Sequence, residues 1–195
     1  MTNIKIIGSG SYTPHKLVSN RDLETLTGIP ADKIRELTGI ETRFHAEQND
    51  TQTSMAKTAI LRLLKDFRAI PNIDALIYLQ NVPPQDLLYL VGGELHEELK
   101  KERILQENNP FYTVIGGCAD WIDTLILAYS LAKAGMHKTV LCATSTDISR
   151  SLDFNDYSTA ILFGDGACAH LVSITDEDGG FLKFYQKIDG SGCKA

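Results

Sequence analysis

Apolar residues recur along the chain in two alternating rhythms. From Gln52 to Phe67, residues Met55, Ala56, Ala59, Ile60, Leu63, Leu64 and Phe67 fall on a period of about 3.6 residues, which predicts an amphipathic helix. Short β-branched or wholly apolar runs at residues 4–8, 75–79, 111–115 and 139–144 predict strands. Shorter helices are expected over 22–26, where Ser19 and Asn20 can cap, and over 31–37, ended near Gly39. After Pro83-Pro84 a helical stretch is expected from Asp86 into the charged run ending near Glu107. Residues 9–14 read as a turn-rich segment. Two further apolar runs, 159–163 and 167–174, flank Gly164-Asp165-Gly166 and predict an antiparallel pair. Strands alternating with helices and closed by such a pair make an α/β layered domain with a mixed sheet, and residues 1–195 read as one unit.

The predicted helix over 119–134 is different in kind. Trp121, Ile122, Leu125, Ile126, Leu127, Ala128, Tyr129, Leu131 and Ala132 leave it almost no polar face. A helix that is apolar all round is expected to be covered all round. One sheet covers one side only, so the other side is expected to meet a second copy of the chain or a further domain.

Composition narrows the function classes. With 43 % hydrophobic and 23 % charged residues, the chain can build a core and is not expected to be disordered. A net charge of −6 argues against a nucleic-acid or anionic-membrane surface, which needs clustered Lys and Arg. No apolar run reaches the roughly 18 residues of a membrane span, and the opening residues carry too short an apolar run for a signal peptide, so a cytoplasmic location is expected. Cys118, Cys142, Cys168 and Cys193 show neither a CxxC pair nor metal-type spacing to a His, so reduced thiols and no metal site are expected. Gly8-x-Gly10 is followed by Thr13 where a dinucleotide fingerprint has its third Gly, and no nicotinamide or other cofactor is expected. Asp165 reads as the residue of a tight hairpin turn rather than a metal carboxylate.

Candidate chemistry gathers at Gly116-Gly117-Cys118-Ala119-Asp120, between a predicted strand and the apolar helix. This is similar to the tight strand-to-helix turn that presents a nucleophile in G-x-S-x-G enzymes, with Asp in place of the last Gly. A thiol at a helix N-terminus faces unpaired N–H groups and the positive end of the helix dipole, which favour the thiolate. The same donors can hold a tetrahedral oxyanion. Asp120 and Asp123 suit the first turn of a helix but oppose a thiolate electrostatically. From these residues alone, a reactive Cys118 and a packed structural thiol both stay open.

A family resemblance runs along nearly the whole chain. Gly8-Ser-Gly-Ser-Tyr-Thr-Pro14 with Val18-Ser-Asn20, then Thr38-Gly-Ile40 with Arg43, Asp74-Ala-Leu-Ile-Tyr, Cys118-Ala119 before an apolar helix, and Asp156 with Thr159-Ala-Ile-Leu-Phe-Gly-Asp-Gly-Ala167 follow one another in that order. Together they resemble the N-terminal half of the β-ketoacyl-acyl carrier protein synthase III family. The resemblance implies one half of a thiolase-like layered fold, with a mixed sheet, helices on both faces, a buried central helix and a dimeric or otherwise oligomeric state. It implies Cys118 as the acyl-accepting nucleophile, with acyl transfer from an acyl-CoA or acyl carrier protein thioester. Decarboxylative condensation with a malonyl thioester then follows in fatty acid or polyketide synthesis. The His and Asn that serve that second step belong to the family's C-terminal half, which another domain or chain is expected to supply. His15, His45, His96, His137 and His170 match none of the family's motif positions and read as surface or core residues.

Departures from the family pattern cluster at the substrate entrance. Lys33 stands where the coenzyme A-dependent members have a Trp, and Leu37 where they have an Arg. Losing a stacking aromatic and a cation favours a carrier-protein donor over coenzyme A. Arg150 is the expected substrate contact. Asp120 replaces a Gly and Tyr157 an Arg. A non-catalytic, condensing-enzyme-like interaction subunit and a fragment of an ordinary synthase are the alternatives to an acyltransferase.

Overall fold

A computed structural model describes residues 3–81, 90–187, 189 and 191. Its centre is a five-stranded mixed sheet in the order β1-β7-β6-β4-β5, where β1 is Asn3–Tyr12, β4 Ala75–Gln80, β5 Phe111–Ile115, β6 Thr139–Thr146 and β7 Gly166–Thr175. β4 pairs in parallel with both β5 and β6, whereas β7 runs antiparallel to β6 and β1. Six consecutive residues of β4 are buried, as expected of a parallel strand covered on both faces.

Alternation along these strands divides the core in two. Leu76, Tyr78, Leu141, Ala143 and Leu171 face α3 (Gln52–Leu64) and α4 (Val91–Lys101), packing on Met55, Ile60, Leu63, Leu95 and Leu99. Ile77, Val140, Cys142 and Val172 face the other way, onto Leu125, Ala128, Leu131 and Ala132 of α5 (Asp120–Lys133). Each fully buried Leu or Ile contributes about 1.5–3 kcal/mol. α3 comes close enough to β1 that a Cβ on Gly10 would lie 2.6 Å from the Leu63 amide nitrogen.

The resembling motifs at 18–20, 38–43 and 159–167 meet in space. β2 (Lys16–Ser19) pairs antiparallel with β3 (Thr42–His45), a small hairpin absent from the sequence reading. Ser19 caps α1 (Asn20–Thr27) in a reciprocal box with Asp22, and α2 (Ala31–Thr38) ends on Gly39 in the left-handed region at φ 70°. The buried Arg43 donates to Asn20 Oδ1 at 2.6 Å and to the Ile161 carbonyl at 2.8 Å, while Asn20 Nδ2 donates to the Ile40 carbonyl at 2.8 Å.

Three expectations change. β1 continues through Tyr12, past a register shift between Ile6 and Gly8, because residues 8–12 pair with β7 rather than turning. Residues 159–163 are not a strand: Asp156 caps a short helix, α6 (Tyr157–Ala160), and Ala160 and Ile161 are buried, Ile161 beside Leu23 and Ile34. The predicted hairpin therefore does not exist, and Asp165 lies outside any such turn. The long helix expected from residue 86 is described from Val91 and ends at Lys101; its first part falls on 82–89, outside the described residues.

α5 is buried on its sheet-facing side only. Ile122 is 48 % exposed, and Trp121, Ile126, Leu127 and Tyr129 are half-buried. Part of that outer side is met by the segment after β7, where Phe181 and Phe184 pack on the Tyr129 ring at centroid distances of 5.8 and 5.0 Å. Among the described residues no helix is long and apolar enough to cross a membrane.

Candidate active site

The turn at 116–119 carries the chain from the end of β5 into α5. β5 is held in parallel register with β4, Gln80 opposite Ile115, and the Gly116 amide donates to the Gln80 carbonyl at 3.4 Å. Cys118 therefore sits just beyond the C-terminal edge of the parallel strands, at the N-terminal end of a 14-residue helix. Its side chain is exposed. Open α/β sheets place their ligands at this edge.

The turn is closed by Asp120. Its amide donates to the Gly117 carbonyl at 3.1 Å, and its carboxylate accepts the Gly117 N–H. Ala119, the residue before the helix, is in the right-handed helical region and supplies no side-chain cap. Among the described residues the amides of Cys118 and Ala119 have no acceptor, which leaves two N–H groups at the turn for a developing oxyanion.

The other cysteines are different environments for the same group. Burial pushes the Cys142 thiol far above its ordinary range, and the Cys168 thiol up to about 11. Neither is a thiolate near neutral pH, so exposed Cys118 is the nucleophile candidate among the described thiols. Cys193 lies outside the described residues.

Arg150, the expected substrate contact, stands in a 3-10 turn at Ile148–Ser151. Its Nη2 donates to the Glu47 and Asp50 carbonyls at 2.6 and 3.1 Å, and Nε lies 3.5 Å from Asp147 Oδ2. No hydrogen bond among the described residues joins it to the Cys118 turn. It borders a cavity of about 640 Å³ together with Lys16, Leu17, His45, Ser149 and Phe154. Lys33 pairs with Glu36 at 2.9 Å and Leu37 is 55 % exposed, so neither position presents an aromatic face.

No hydrogen bond among the described residues joins a histidine to the Cys118 turn. His96 bonds to the Asn109 carbonyl at 2.7 Å, His137 to the Tyr112 hydroxyl at 2.9 Å, and His170 to Ser9 Oγ at 2.9 Å, its ring tilted against that of Trp121 at a centroid distance of 5.4 Å. His15 meets the Tyr12 ring edge-on, and His45 is buried, with no partner for Nε2 among the described residues. No group of three or more His, Cys, Asp or Glu among the described residues could hold a metal ion.

Asp165 is a structural tie that the sequence reading missed. Its buried carboxylate accepts from the Ala46 amide at 2.6 Å, the Ser149 amide at 3.0 Å and the Ser149 hydroxyl, and its own amide donates to the Phe44 carbonyl at 2.8 Å. An Asp between two glycines carries no signal of partners so distant in sequence.

Comparison with known proteins finds synthase III relatives along nearly the whole chain. Residues 114–190, which include the Cys118 turn, α5, β6 and β7, match the family model of 3-oxoacyl-[acyl-carrier-protein (ACP)] synthase III. The chain is 32 % identical over 192 residues to β-ketoacyl-[acyl-carrier-protein] synthase III 1 of Bacillus anthracis, covering 98 % of this chain and 60 % of that protein. It is 36 % identical to the synthase III of Solibacter usitatus, covering 98 % of this chain and 57 % of the relative. Its fold superposes on β-ketoacyl-[acyl carrier protein] synthase III from Thermus thermophilus with a TM-score of 0.87 at 30 % identity, over 97 % of this chain and 57 % of that one. A priming β-ketosynthase of the R1128 polyketide pathway gives a TM-score of 0.80 at 26 % identity, over 91 % of this chain and 52 % of that one. The chain spans about three-fifths of the curated relatives it matches. Over 98 % of its length it is similar to the N-terminal half of the β-ketoacyl-acyl carrier protein synthase III family, and its fold is that half of the thiolase-like fold.

Proposed function

We propose that the chain carries the acyl-accepting half of a condensing enzyme, with Cys118 as nucleophile. The observation that carries this reading is the placement of an exposed thiol at a closed strand-to-helix turn, at the C-terminal edge of the parallel strands of a synthase III-like fold. In the reaction the Cys118 sulfur attacks the thioester carbonyl, and its proton passes to solvent or to the departing sulfur. The tetrahedral oxyanion is stabilised by N–H groups of the turn, and its collapse expels the donor thiolate and leaves an acyl-cysteine. The second step loses carbon dioxide from a malonyl thioester, and its carbanion attacks the acyl carbonyl to release Cys118. The His and Asn for that step are assigned to a C-terminal half supplied by another domain or chain, and among the described residues no histidine is hydrogen-bonded to the Cys118 turn.

Arg150 is assigned a donor-side contact, because it stands at the rim of a cavity large enough for part of a thioester arm. The pairing of Lys33 with Glu36 and the exposed Leu37 favour an acyl carrier protein over coenzyme A as donor. Parallel incubations with acyl-CoA and the matching acyl carrier protein test this. Faster acylation from the carrier protein supports the assignment, and faster acylation from coenzyme A contradicts it.

A second reading has one observation of its own. Asp120, two residues after Cys118, stands where the resemblance has a Gly and spends its carboxylate on the Gly117 amide, as expected of a chain that pairs with a catalytic partner without reacting itself. It predicts no acyl adduct even with a complementary half present.

A further inference from the structure

We propose that Asp120 is a positioning residue, and that Asp120 and Gly116 form one complementary unit that latches the turn presenting Cys118. Its bearing on catalysis rests on the acyl-acceptor reading above; its bearing on the structure does not.

Gly117 is bonded to Asp120 at both of its polar groups. The Gly117 carbonyl accepts from the Asp120 amide, and the Gly117 N–H donates to the Asp120 carboxylate. Cys118 and Ala119 are the two residues enclosed between these bonds. A single turn bond leaves such a loop free to open; two bonds between the same residues hold it from both sides. The usual device for a helix start, a side chain before the first turn, is absent here because Ala119 has no side-chain acceptor. Asp120, the first residue of the helix, instead reaches back and secures the turn.

Gly116 supplies the space. A Cβ placed on it would fall inside the Asp120 carboxyl group, and all three of its nearest neighbours are Asp120 side-chain atoms. Gly117 shows no such constraint, since a Cβ there would meet nothing within 4 Å. The requirement for glycine at 116 is therefore created by the side chain at 120, and removing one removes the need for the other.

The test separates geometry from charge. Asp120→Asn and Asp120→Ala are both neutral, but only Asn keeps an oxygen that can accept the Gly117 N–H. Measured by NMR, the Gly117 amide of Asp120→Ala should exchange about fivefold faster than that of Asp120→Asn, the size of a lost cap. Iodoacetamide, a small reagent that needs no orientation, should label Cys118 at matched rates in the two variants. Acyl transfer from a bulky thioester should be about tenfold slower in Asp120→Ala, as expected when a reacting atom is misplaced. Gly116→Ala should lower the melting temperature of the wild-type chain, but should not lower that of Asp120→Gly any further. Equal Gly117 exchange in the two Asp120 variants, or a Gly116→Ala loss of the same size with and without the Asp120 side chain, would overturn the latch. A wild-type chain that forms no acyl adduct would refute the acyl-acceptor reading, while Gly117 exchange and the 116/120 coupling would still decide the latch.

Discussion

The carboxylate of Asp165 accepts the amide hydrogen of Ala46 at 2.6 Å, joining positions 119 residues apart. It also takes both donors of Ser149, so the end of β3, the start of β7 and the 3-10 turn carrying Arg150 meet on one buried carboxyl group. Asp165→Ala leaves the Ala46 and Ser149 amides without this acceptor. The expected cost is about 3 kcal/mol, as for losing charge-assisted bonds at a buried site. Urea denaturation of the two proteins measures it, and an unchanged midpoint would remove Asp165 from its place as a tie.

Gly10 is tied to packing rather than to chemistry. A Cβ there would lie 2.6 Å from the Leu63 nitrogen and 2.8 Å from Leu63 Cβ, and would also run into the Ala59 carbonyl. Two of these neighbours are helix backbone and have no rotamer to change. Gly10→Ala is expected to push β1 off α3 and destabilise the chain by about 2 kcal/mol or more. Thermal unfolding tests this, and a melting temperature equal to wild type would contradict the close approach.

Two histidines, His45 buried and His170 half-buried, give stability a direction with pH. Burial lowers the His45 imidazole below its ordinary range, with the Asp165 charge pulling it partly back, and burial lowers His170 likewise. Because the folded chain binds these protons less readily than the unfolded one, their contribution is intact above the unfolded value of about 6.5. It is lost as pH falls from there through the folded values. The melting temperature should therefore decline on acidification from about pH 7 to pH 5, before the lowered carboxylates of Asp22 and Asp50 begin to titrate. In the double variant His45→Gln/His170→Gln the slope should flatten, whatever its absolute stability. An undiminished slope would assign the acid sensitivity elsewhere.

The sheet was legible because buried strands are written as apolar runs. Residues 75–79, 111–115 and 139–144 mark β4, β5 and β6 closely, and α3 announces itself by its period. The hairpin of β2 and β3 was not, since Arg43 and His45 are polar residues that happen to be buried, and their partners Asn20, Ile161 and Phe163 lie elsewhere in the chain. Residues 159–163 have strand-like composition, yet the Asp156 cap starts a short helix that ends at Ala160, and Ala160 and Ile161 are buried beyond reach of the sheet's pairing. At the site, the sequence shows a cysteine between a strand and a helix. That Asp120 turns back to Gly117 depends on backbone geometry that spacing does not encode.

The central claim is that Cys118 accepts an acyl group. Intact mass spectrometry after incubation with an acyl carrier protein thioester, followed by peptide mapping, tests it most directly, with a complementary C-terminal half added in one arm. The predicted result is one added acyl mass on the peptide containing Cys118, absent from Cys118→Ser, with Cys142 and Cys168 unmodified. An unmodified chain in both arms, or an adduct that persists in Cys118→Ser, would contradict it.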